Sequence, residues 1–374
     1  MHIGIPAETP EPRVAATPET VKKMVAAGHV VTVQSEAGVA ATFLDAEYQA
    51  AGAVLEKDAA KVLAGSEIVL KVRAPTHEQL MQMKPGTILI GLLKPHDAEL
   101  VADYARQGIT AFAMEKLPRI SRAQAMDVLS SQANIAGYRA VIVAANQFKR
   151  FMPMLMTAAG TVKAARVVIL GVGVAGLQAI ATAKRLGAVI EASDVRPAVK
   201  EQVESLGAKF IDVPFETDEE RDCAQGVGGY ARPMPAGWLE RQKAVVATRV
   251  AQADIVIATA LIPGRPAPVL VTEEMVKSMK PGSVIVDLAV EAGGNCPLSE
   301  LDKIVVIHDV TIVGIPNLER GMAADASAMY ARNLLNFLNL LCDPKAGGTL
   351  NINRDDDIIA GTLLCMNGEI SGRK

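Results

Sequence analysis

The sequence predicts an α/β protein made of two Rossmann-like, doubly wound parallel-sheet domains that are linked by two long helices. The first reason is length, because 374 residues exceed the roughly 250–300 at which a single core stops growing. The second is composition: half of the residues are hydrophobic but only 3% are aromatic, which suits parallel sheets covered on both faces. The third is a repeated alternation of apolar runs with helical patterns.

The first series of alternating segments fills the N-terminal third of the chain. Its apolar runs predict strands at residues 2–5, 30–34, 67–72, 87–93 and 109–113. Helical patterns lie between them at residues 18–27, 45–51 and 98–107. We therefore expect an N-terminal domain of residues 1–128, which residues 322–374 complete from the other end of the chain.

A second series predicts another α/β domain over residues 129–321. Its strands are expected at residues 166–170, 189–194, 209–213, 254–260, 283–288, 303–307 and 311–313. Helical periodicity at residues 125–148 and 322–341 predicts the two linking helices. Residues 216–241, rich in Gly and Pro, are expected to form a long loop, and the tail beyond Pro344 a short hairpin.

A short internal repeat connects the two series. Residues 83–86 read Met-Lys-Pro-Gly, and residues 279–282 repeat these four letters before a second apolar run. Each copy predicts the end of a helix, a tight turn and the start of a strand. Either the two halves share a common plan, or two frequent turns coincide.

Charge and targeting signals narrow the class of partner. The net charge is −3 and no Lys/Arg run is interleaved with aromatic residues, so nucleic acid and anionic membranes are not expected partners. The apolar stretch at residues 167–183 falls just short of a membrane span. The N-terminus shows no signal peptide, which predicts a cytoplasmic protein. The four cysteines lack metal-ligand spacing and are expected to be structural thiols, with no metal site.

The strongest chemical motif is a glycine fingerprint. Gly171, Gly173 and Gly176 follow a predicted strand, and Val174 leads into a helical pattern. In this context the first glycine permits a tight turn, the second lets backbone amides approach a pyrophosphate, and the third permits close helix–strand packing. The motif predicts a dinucleotide site, although FAD and S-adenosylmethionine proteins can share it.

Asp194 ends the next predicted strand, near the position where an acidic residue binds the ribose hydroxyls of NAD. A carboxylate there repels the 2′-phosphate of NADP, so NAD(H) is favoured. Arg196 could pair with such a phosphate and weaken this preference, but a solvated loop arginine is the simpler interpretation.

Two further loops follow predicted strands of the same domain. The first contains Thr259, Ala260 and Leu261, and the second contains Glu291 ahead of Gly293-Gly294. Because ligands of open α/β sheets bind at the carboxyl ends of strands, both loops could face the nicotinamide half of the cofactor. The two glycines alone could equally form a simple turn.

A polar loop precedes the first linking helix. It contains Arg119, Gln124, Asp127 and Ser130, which could hold a nicotinamide ring and its ribose near an interdomain cleft. A structural interpretation also exists, because Ser121 and Gln124 fit a capping box that would open the helix.

Five stretches together resemble the NAD(H)-binding component of proton-translocating transhydrogenases, over residues 1 to about 341. They are PRISRAQAMDVLSSQ at 118–132, MTAAG at 156–160, GVGVAGLQAIATAKRLG at 171–187, ALIPG at 260–264 and DLAVEAGGNCP at 287–297. The resemblance implies a homodimer that binds NAD(H) and docks against an NADP(H)-binding component. A membrane-spanning component would couple hydride transfer to proton movement and hold the protein at the inner membrane.

The same resemblance implies roles for individual residues. Arg119, Asp127 and Ser130 would hold the nicotinamide end of NAD(H), and Gln124 would reach toward the nucleotide of the partner. The implied cofactor site also includes the glycine fingerprint and the strand-end residues, with Val174, Val195, Gly229, Tyr230, Thr259, Ala260, Leu261 and Glu291. Tyr230 matches the tip of a mobile loop that closes over bound nucleotide.

Two other functions remain open from the sequence alone. An alanine-dehydrogenase-like enzyme is similar at residues 4–6, 13–15 and 69–73, but the catalytic lysine and histidine of that family fall near Arg73 and Lys94 here. Arginine stays protonated and cannot act as the base. His96 lies close to Lys94 and keeps this alternative open. A non-catalytic NAD(H) sensor would share the fold without transferring hydride.

Overall fold

The computed structural model describes residues 1–225, 234–262, 264–343 and 347–371. Its contacts divide the chain into two compact units. Unit 1 consists of residues 1–132 and 320–374, and unit 2 of residues 133–319. Gly229 and Tyr230, which are predicted to contact the cofactor, lie outside the described residues.

Unit 1 begins with six strands that alternate with five helices. In chain order they are β1 His2–Ile5, α1 Pro18–Ala26, β2 Val30–Gln34, α2 Asp45–Ala50, β3 Val54–Glu56, α3 Ala59–Gly65, β4 Ile68–Leu70, α4 His77–Gln82, β5 Ile88–Gly91, α5 Ala98–Arg106 and β6 Thr110–Ala113. Short 3-10 helices lie at Val39–Ala41, Met114–Lys116 and Ser121–Met126.

The chain then passes into unit 2 through α6, Val128–Gln147. The following elements are β7 Leu155–Thr157, β8 Gly160–Val162, β9 Arg166–Leu170, α7 Val174–Arg185, β10 Val189–Ser193, α8 Lys200–Ser205, β11 Lys209–Phe210, α9 Asp218–Gln225, α10 Ala236–Val250, β12 Ile255–Ala258, α11 Glu273–Ser278, β13 Val284–Asp287, β14 Lys303–Ile307 and β15 Val310–Gly314. Here 3-10 helices lie at Pro197–Val199, Val290–Ala292 and, at the end of the unit, Leu318–Met322.

The final segment of the chain belongs to unit 1 again. It comprises α12 Ala323–Leu341, β16 Cys342–Asp343, β17 Thr349–Leu350, α13 Asp357–Thr362, β18 Leu363–Met366 and β19 Glu369–Ile370. Several of the helices described start at a residue whose side-chain oxygen accepts a backbone N–H, which satisfies an amide that the helix itself leaves open. Among these capping residues are Thr17, Asp58, Thr76, Asp97, Thr272 and Asp356.

Each unit is built on one large sheet. The eight-stranded sheet of unit 1 has the order β19-β18-β6-β5-β4-β1-β2-β3, and the seven-stranded sheet of unit 2 has the order β11-β10-β9-β12-β13-β15-β14. Counted along the chain within each unit, β1 to β6 follow the Rossmann order 3-2-1-4-5-6, and so do β9 to β13 with β15. The predicted α/β class with parallel-dominated sheets is therefore confirmed.

Apolar residues cover both faces of each sheet. In unit 1 one core contains Ile3, Ile5 and Phe112 with Leu334 and Phe337 of α12, and the other packs α3, α4 and α5 onto the opposite face. Unit 2 likewise has separate cores on its two faces. Burial on both faces explains why the central strands appear as continuous apolar runs in the sequence.

The Met-Lys-Pro-Gly repeat occupies equivalent positions in the two units. In each copy the helix ends at the methionine, Met83 after α4 and Met279 after α11, and the fifth strand of the Rossmann order follows. Gly86 and Gly282 have φ values of +87° and +80°, which favour glycine. Their N–H groups donate to the carbonyls of Gly108 and Asp309, at 2.8 Å in both units. The repeat therefore marks a shared plan.

Three local predictions were wrong. Residues 303–307 were expected in a parallel sheet, but β14 pairs antiparallel with β15, because His308 and Asp309 both have positive φ and form a tight hairpin turn. Much of the expected loop at 216–241 is helical, in α9 and α10. The tail contains α13 as well as a hairpin, and β18 joins the sheet of unit 1 antiparallel to β6.

Candidate functional site

The glycine loop of unit 2 lies between β9 and α7, and each glycine has its own surroundings. Gly171 has φ +92°, and a Cβ there would lie 2.9 Å from the nitrogen of Ala260. A Cβ at Gly176 would lie 2.0 Å from the carbonyl oxygen of Gly171. A Cβ at Gly173 would meet no described atom within 4 Å. Two glycines are thus required by packing, whereas the third borders open space.

The loop places the start of α7 directly at the end of the first strand. Gly173 is the N-cap, it offers no side-chain oxygen to the first turn, and Val174 is the first helical residue. The first N–H groups of a helix lack partners within the helix and carry partial positive charge. The start of α7 is therefore suited to a phosphate group.

A second glycine contact supports this arrangement from α6. A Cβ at Gly137 would lie 2.1 Å from the carbonyl oxygen of Ala175, so the two helices approach each other with backbone in contact. The sequence analysis missed Gly137, because an isolated glycine within a helical pattern carries no signal for a contact with a distant helix.

Asp194 directly follows β10 and is bonded to the glycine loop. Its Oδ2 accepts the N–H of Val172 at 2.7 Å, and only 6% of its side chain is exposed. Arg196 pairs with it: Nε donates to Oδ1 at 2.9 Å and Nη2 donates to Oδ2 at 2.8 Å. The interpretation of Arg196 as a solvated loop arginine was therefore wrong.

Val195 anchors this segment in a small apolar cluster next to the residues outside the description. The cluster contains Val213, Ala224, Met234 and Trp238, with Val195 and Phe215 packed against it. The rings of Phe215 and Trp238 stack with centroids 5.9 Å apart. The segment after β10 thus shares one core with α9 and α10.

The loop after β12 is attached to the glycine loop. Thr259 donates its hydroxyl to the carbonyl of Gly171 at 2.8 Å. Ala260 exchanges two hydrogen bonds with the fully buried amide of Asn295, at 3.1 and 2.9 Å. Leu261 is 50% exposed beside them. The sequence analysis did not single out Asn295, whose role depends on a residue 35 positions away.

The loop after β13 is shaped by a buried carboxylate. Asp287 is fully buried and accepts the N–H groups of Ala289 and Cys296, at 3.0 Å each, and the hydroxyl of Ser299 at 2.8 Å. Glu291 lies farther along this loop and accepts an N–H of the Asn317 amide at 2.9 Å, in an exposed position.

The polar loop of unit 1 is arranged differently from its predicted capping box. Residues Ser121–Met126 form a 3-10 helix without a side-chain cap. The cap of α6 is Asp127, whose carboxylate accepts the N–H of Ser130 at 2.9 Å and its hydroxyl at 2.5 Å. The capping-box interpretation was wrong, because α6 begins only at Val128.

Buried anchors hold this loop while its polar side chains remain accessible. Ala123 and Met126 are buried, and the amides of Asn333 and Asn336 on α12 donate to the carbonyl of Ala125 at 2.8 and 2.9 Å. Arg119 and Gln124 are exposed. Four of the predicted residues, Arg119, Gln124, Asp127 and Ser130, thus lie on one short segment of defined structure.

Comparison with known proteins identifies the family. The model for the alanine dehydrogenase/PNT C-terminal domain matches residues 140–373, and that for the N-terminal domain matches residues 4–136. The chain belongs to the alanine dehydrogenase/PNT family. Within this family it is 52% identical to an NAD(P) transhydrogenase alpha subunit of Rhodospirillum rubrum, over 99% of this chain and 97% of that protein. It is 33% identical to alanine dehydrogenase of Bacillus subtilis, over 79% of this chain and 72% of that protein.

Solved structures of the same family have the same fold. A transhydrogenase from Sinorhizobium meliloti superposes with a TM-score of 0.89 at 46% identity, covering 99% of this chain and 100% of that one. An L-alanine dehydrogenase superposes with a TM-score of 0.80 at 29% identity, covering 99% and 96%. The predicted resemblance to the transhydrogenase component and to alanine dehydrogenase is confirmed.

Unit 1 contains a buried ion cluster that includes Arg73, one of the two positions compared above with alanine dehydrogenase. Lys71 lies 3.4 Å from Glu8, and both side chains are at most 3% exposed. Glu11 binds Arg13 and Arg73, at 2.8 and 3.1 Å. Burial raises the pKa of Glu8, although Lys71 opposes this. Burial also acts to raise the pKa of Glu11, but hydrogen bonds and charge from Arg13 outweigh it and hold that pKa below its ordinary value.

Lys94 and His96 lie in an exposed loop of unit 1. Lys94 has φ +54° and donates its N–H to Glu115 at 2.8 Å, and His96 is exposed. Within the residues described, no group of three His, Cys, Asp or Glu side chains is placed to hold a metal ion. Cys296, Cys342 and Cys365 are buried free thiols. None of the helices described has the length and hydropathy needed to cross a membrane.

Proposed function

We propose that this chain is the NAD(H)-binding subunit of a proton-translocating transhydrogenase, which transfers hydride from NADH to NADP+ bound on a partner subunit. The observation that carries the proposal is the glycine loop, whose open side at Gly173 faces the uncapped start of α7 beside Asp194. The 52% identity to a transhydrogenase subunit supports it. FAD and S-adenosylmethionine receive no comparable support.

In this proposal each half of NAD(H) has its own residues. The pyrophosphate binds at Gly171, Gly173, Val174 and Gly176, where helix amides are unpaired. Asp194, with Val195 and Arg196 beside it, binds the adenosine ribose. The loops carrying Thr259, Ala260, Leu261 and Glu291 serve the nicotinamide half. Gly229 and Tyr230 are proposed to close over the nucleotide.

The polar loop is proposed to orient the reacting ring. Arg119, Asp127 and Ser130 would hold the nicotinamide end, and Asp127 and Ser130 are already fixed to each other by two hydrogen bonds. Bound NAD(H) supplies the hydride, and its transfer to a second nicotinamide abstracts no substrate proton. The task of the protein is therefore to hold donor and acceptor carbons about 3–3.5 Å apart.

The partners follow from this division of labour. An NADP(H)-binding component must supply the second nicotinamide, and a membrane-spanning component would couple the reaction to proton movement. The relatives are named as alpha subunits, which fits a protein of several subunits. We place the chain on the cytoplasmic side of the inner membrane, attached through these partners.

The proposed homodimer has a candidate surface in unit 2. The β7–β8 hairpin and the segment before it expose Phe151, Met154, Leu155 and Met156 by 56%, 61%, 37% and 71%. Contiguous apolar side chains of this kind are typical of an interface. We expect Met156→Lys to convert a dimer into a monomer in light scattering, whereas Val189→Lys, at an exposed strand start, should not.

The decisive experiment mixes the purified chain with the NADP(H)-binding component of a related transhydrogenase. Reduction of an NAD analogue by NADPH should require both proteins, and the chain alone should oxidise neither alanine nor other amino acids. Alanine-dependent formation of NADH would instead identify an alanine-dehydrogenase-like enzyme. NADH binding without hydride transfer to any partner would identify a sensor.

A second experiment addresses Gln124, whose side chain is exposed on the polar loop. In Gln124→Asn the amide is kept but shortened by one methylene, so its reach toward the partner's nucleotide is reduced. We expect slower hydride transfer, by about tenfold for a misplacement of this size, with NADH affinity nearly unchanged. A parallel loss of NADH affinity would make Gln124 an ordinary binding residue.

A further inference from the structure

The hydrogen bonds at Asp194 leave little room for a ligand. Oδ1 accepts the backbone N–H and the Nε of Arg196, both at 2.9 Å. Oδ2 accepts the N–H of Val172 at 2.7 Å and the Nη2 of Arg196 at 2.8 Å. A carboxylate has about four acceptor positions, two on each oxygen. All four are therefore occupied within the protein.

The four donors are not equivalent. The two backbone N–H groups are fixed by the glycine loop and by the turn after β10, so they stay when a ligand binds. The guanidinium is attached through a flexible side chain that is 24% exposed. Its Nε and Nη2 occupy one position on each oxygen, which is also how the two hydroxyls of a ribose bind a carboxylate.

We propose that Arg196 is a specificity-determining residue, which competes with the adenosine ribose for Asp194 and is displaced when NAD(H) binds. The proposal rests on the proposed function, because it assumes that Asp194 binds the ribose. Once displaced, the guanidinium lies beside the 2′ position of the ribose. Arginine binds phosphate well, so it would there attract the 2′-phosphate of NADP(H). Arg196 thus weakens the discrimination that Asp194 provides.

Removal of the guanidinium should have opposite effects on the two cofactors. In Arg196→Ala the carboxylate is free for the ribose, and NADH should bind about two- to fivefold more tightly, as expected for a partly exposed ion pair. NADPH should bind more weakly, because its 2′-phosphate loses its cation. Arg196→Lys should lie between them, since an ammonium cannot occupy both oxygens at once.

Lys200 provides a matched control. It lies four residues from Arg196, is 43% exposed and pairs with Asp212 at 2.7 Å. Lys200→Ala removes the same charge from the same region but leaves Asp194 untouched. Its affinities for NADH and NADPH should equal those of the wild type, which excludes a general effect of charge.

Calorimetric titration with ADP and 2′-deoxy-ADP tests the competition directly. The gain in Arg196→Ala should be present for ADP and largely absent for 2′-deoxy-ADP, which has no vicinal hydroxyls to bridge the two oxygens. Equal or weaker NADH binding by Arg196→Ala, or equal gains for both nucleotides, would overturn the inference. Wild-type protein that binds neither NADH nor ADP would overturn the proposed function itself.

Discussion

The two units share a strand order and a Met-Lys-Pro-Gly turn, but they differ where the first strand leads to the first helix. In unit 2 this connection has three residues, 171–173, and in unit 1 it has twelve, 6–17. The short connection places helix amides at the end of the strand, with open space beside Gly173. The long one fills the corresponding region with Glu8, Glu11 and Arg13, which pair with residues after β4.

The difference teaches that the Rossmann order alone does not make a nucleotide site. Ligands of such sheets bind where the strand order reverses, between the first and fourth strands. In unit 2 this point is lined by Gly171 and by Thr259 and Ala260 after β12. In unit 1 the same point is occupied by the pair Glu8–Lys71. Four changes would test or sharpen this contrast.

The largest effect is expected from Lys71→Met in unit 1. It leaves the carboxylate of Glu8 buried without its cation, which should lower the free energy of unfolding by about 3 kcal/mol or more. The double variant Glu8→Gln/Lys71→Met should recover some of this loss. Thermal unfolding measures both. NADH affinity should stay at the wild-type value, and a parallel loss of binding would show that the cluster serves the nucleotide.

Gly176→Ala should have the next largest effect. Its Cβ would lie 2.0 Å from the carbonyl of Gly171, so α7 must move away from the loop. We expect a destabilisation of about 2–3 kcal/mol, typical of overpacking, together with weaker NADH binding. Differential scanning calorimetry and fluorescence titration provide the two values. Unchanged stability would mean that the contact relaxes without loss.

Gly173→Ala isolates binding from packing. Its Cβ would enter the open space beside the loop, where it meets no described atom within 4 Å, so the melting temperature should stay the same. The proposed pyrophosphate requires that space, and NADH affinity should fall about tenfold, which corresponds to roughly 1.4 kcal/mol. Wild-type affinity in this variant would place the phosphates elsewhere.

How much of this contrast could be predicted depends on the range of the contacts. The central strands, the glycine loop between strand and helix, and the two helices near residues 128 and 341 follow from local patterns of apolar residues and glycine. The β14–β15 turn did not, because His308 and Asp309 adopt positive φ without the usual Asn-Gly or Asp-Gly signal.

The unpredicted features of the candidate site depend on residues far apart in the chain. Gly137 meets Ala175, and Asn295 bonds to Ala260, through pairings that no spacing in the sequence reveals. Arg196 was near Asp194 in sequence, yet its fork geometry required the backbone conformation after β10. Spacing therefore predicts elements, whereas the partners of polar side chains require coordinates.

The smallest expected effect is a pH dependence in unit 1. The pKa of Glu11 is lower in the folded chain than its ordinary value, because Arg13 outweighs the effect of burial. Its charged form therefore stabilises the fold above the unfolded pKa of about 4.3, and this contribution disappears as pH falls through the folded pKa. Glu11→Gln should flatten the acid side of the stability curve. An unchanged acid midpoint would contradict the assigned direction.

The return of the chain to unit 1 also bears on its synthesis. Unit 2 is continuous and is complete once residue 319 has been made. Unit 1 must wait for α12, which contributes Tyr330 and Phe337 to its core, and for β18, which extends its sheet. At roughly 5–20 residues per second, this delay is on the order of tens of seconds. A ribosome therefore carries the first strands made beside a domain that can finish folding before them.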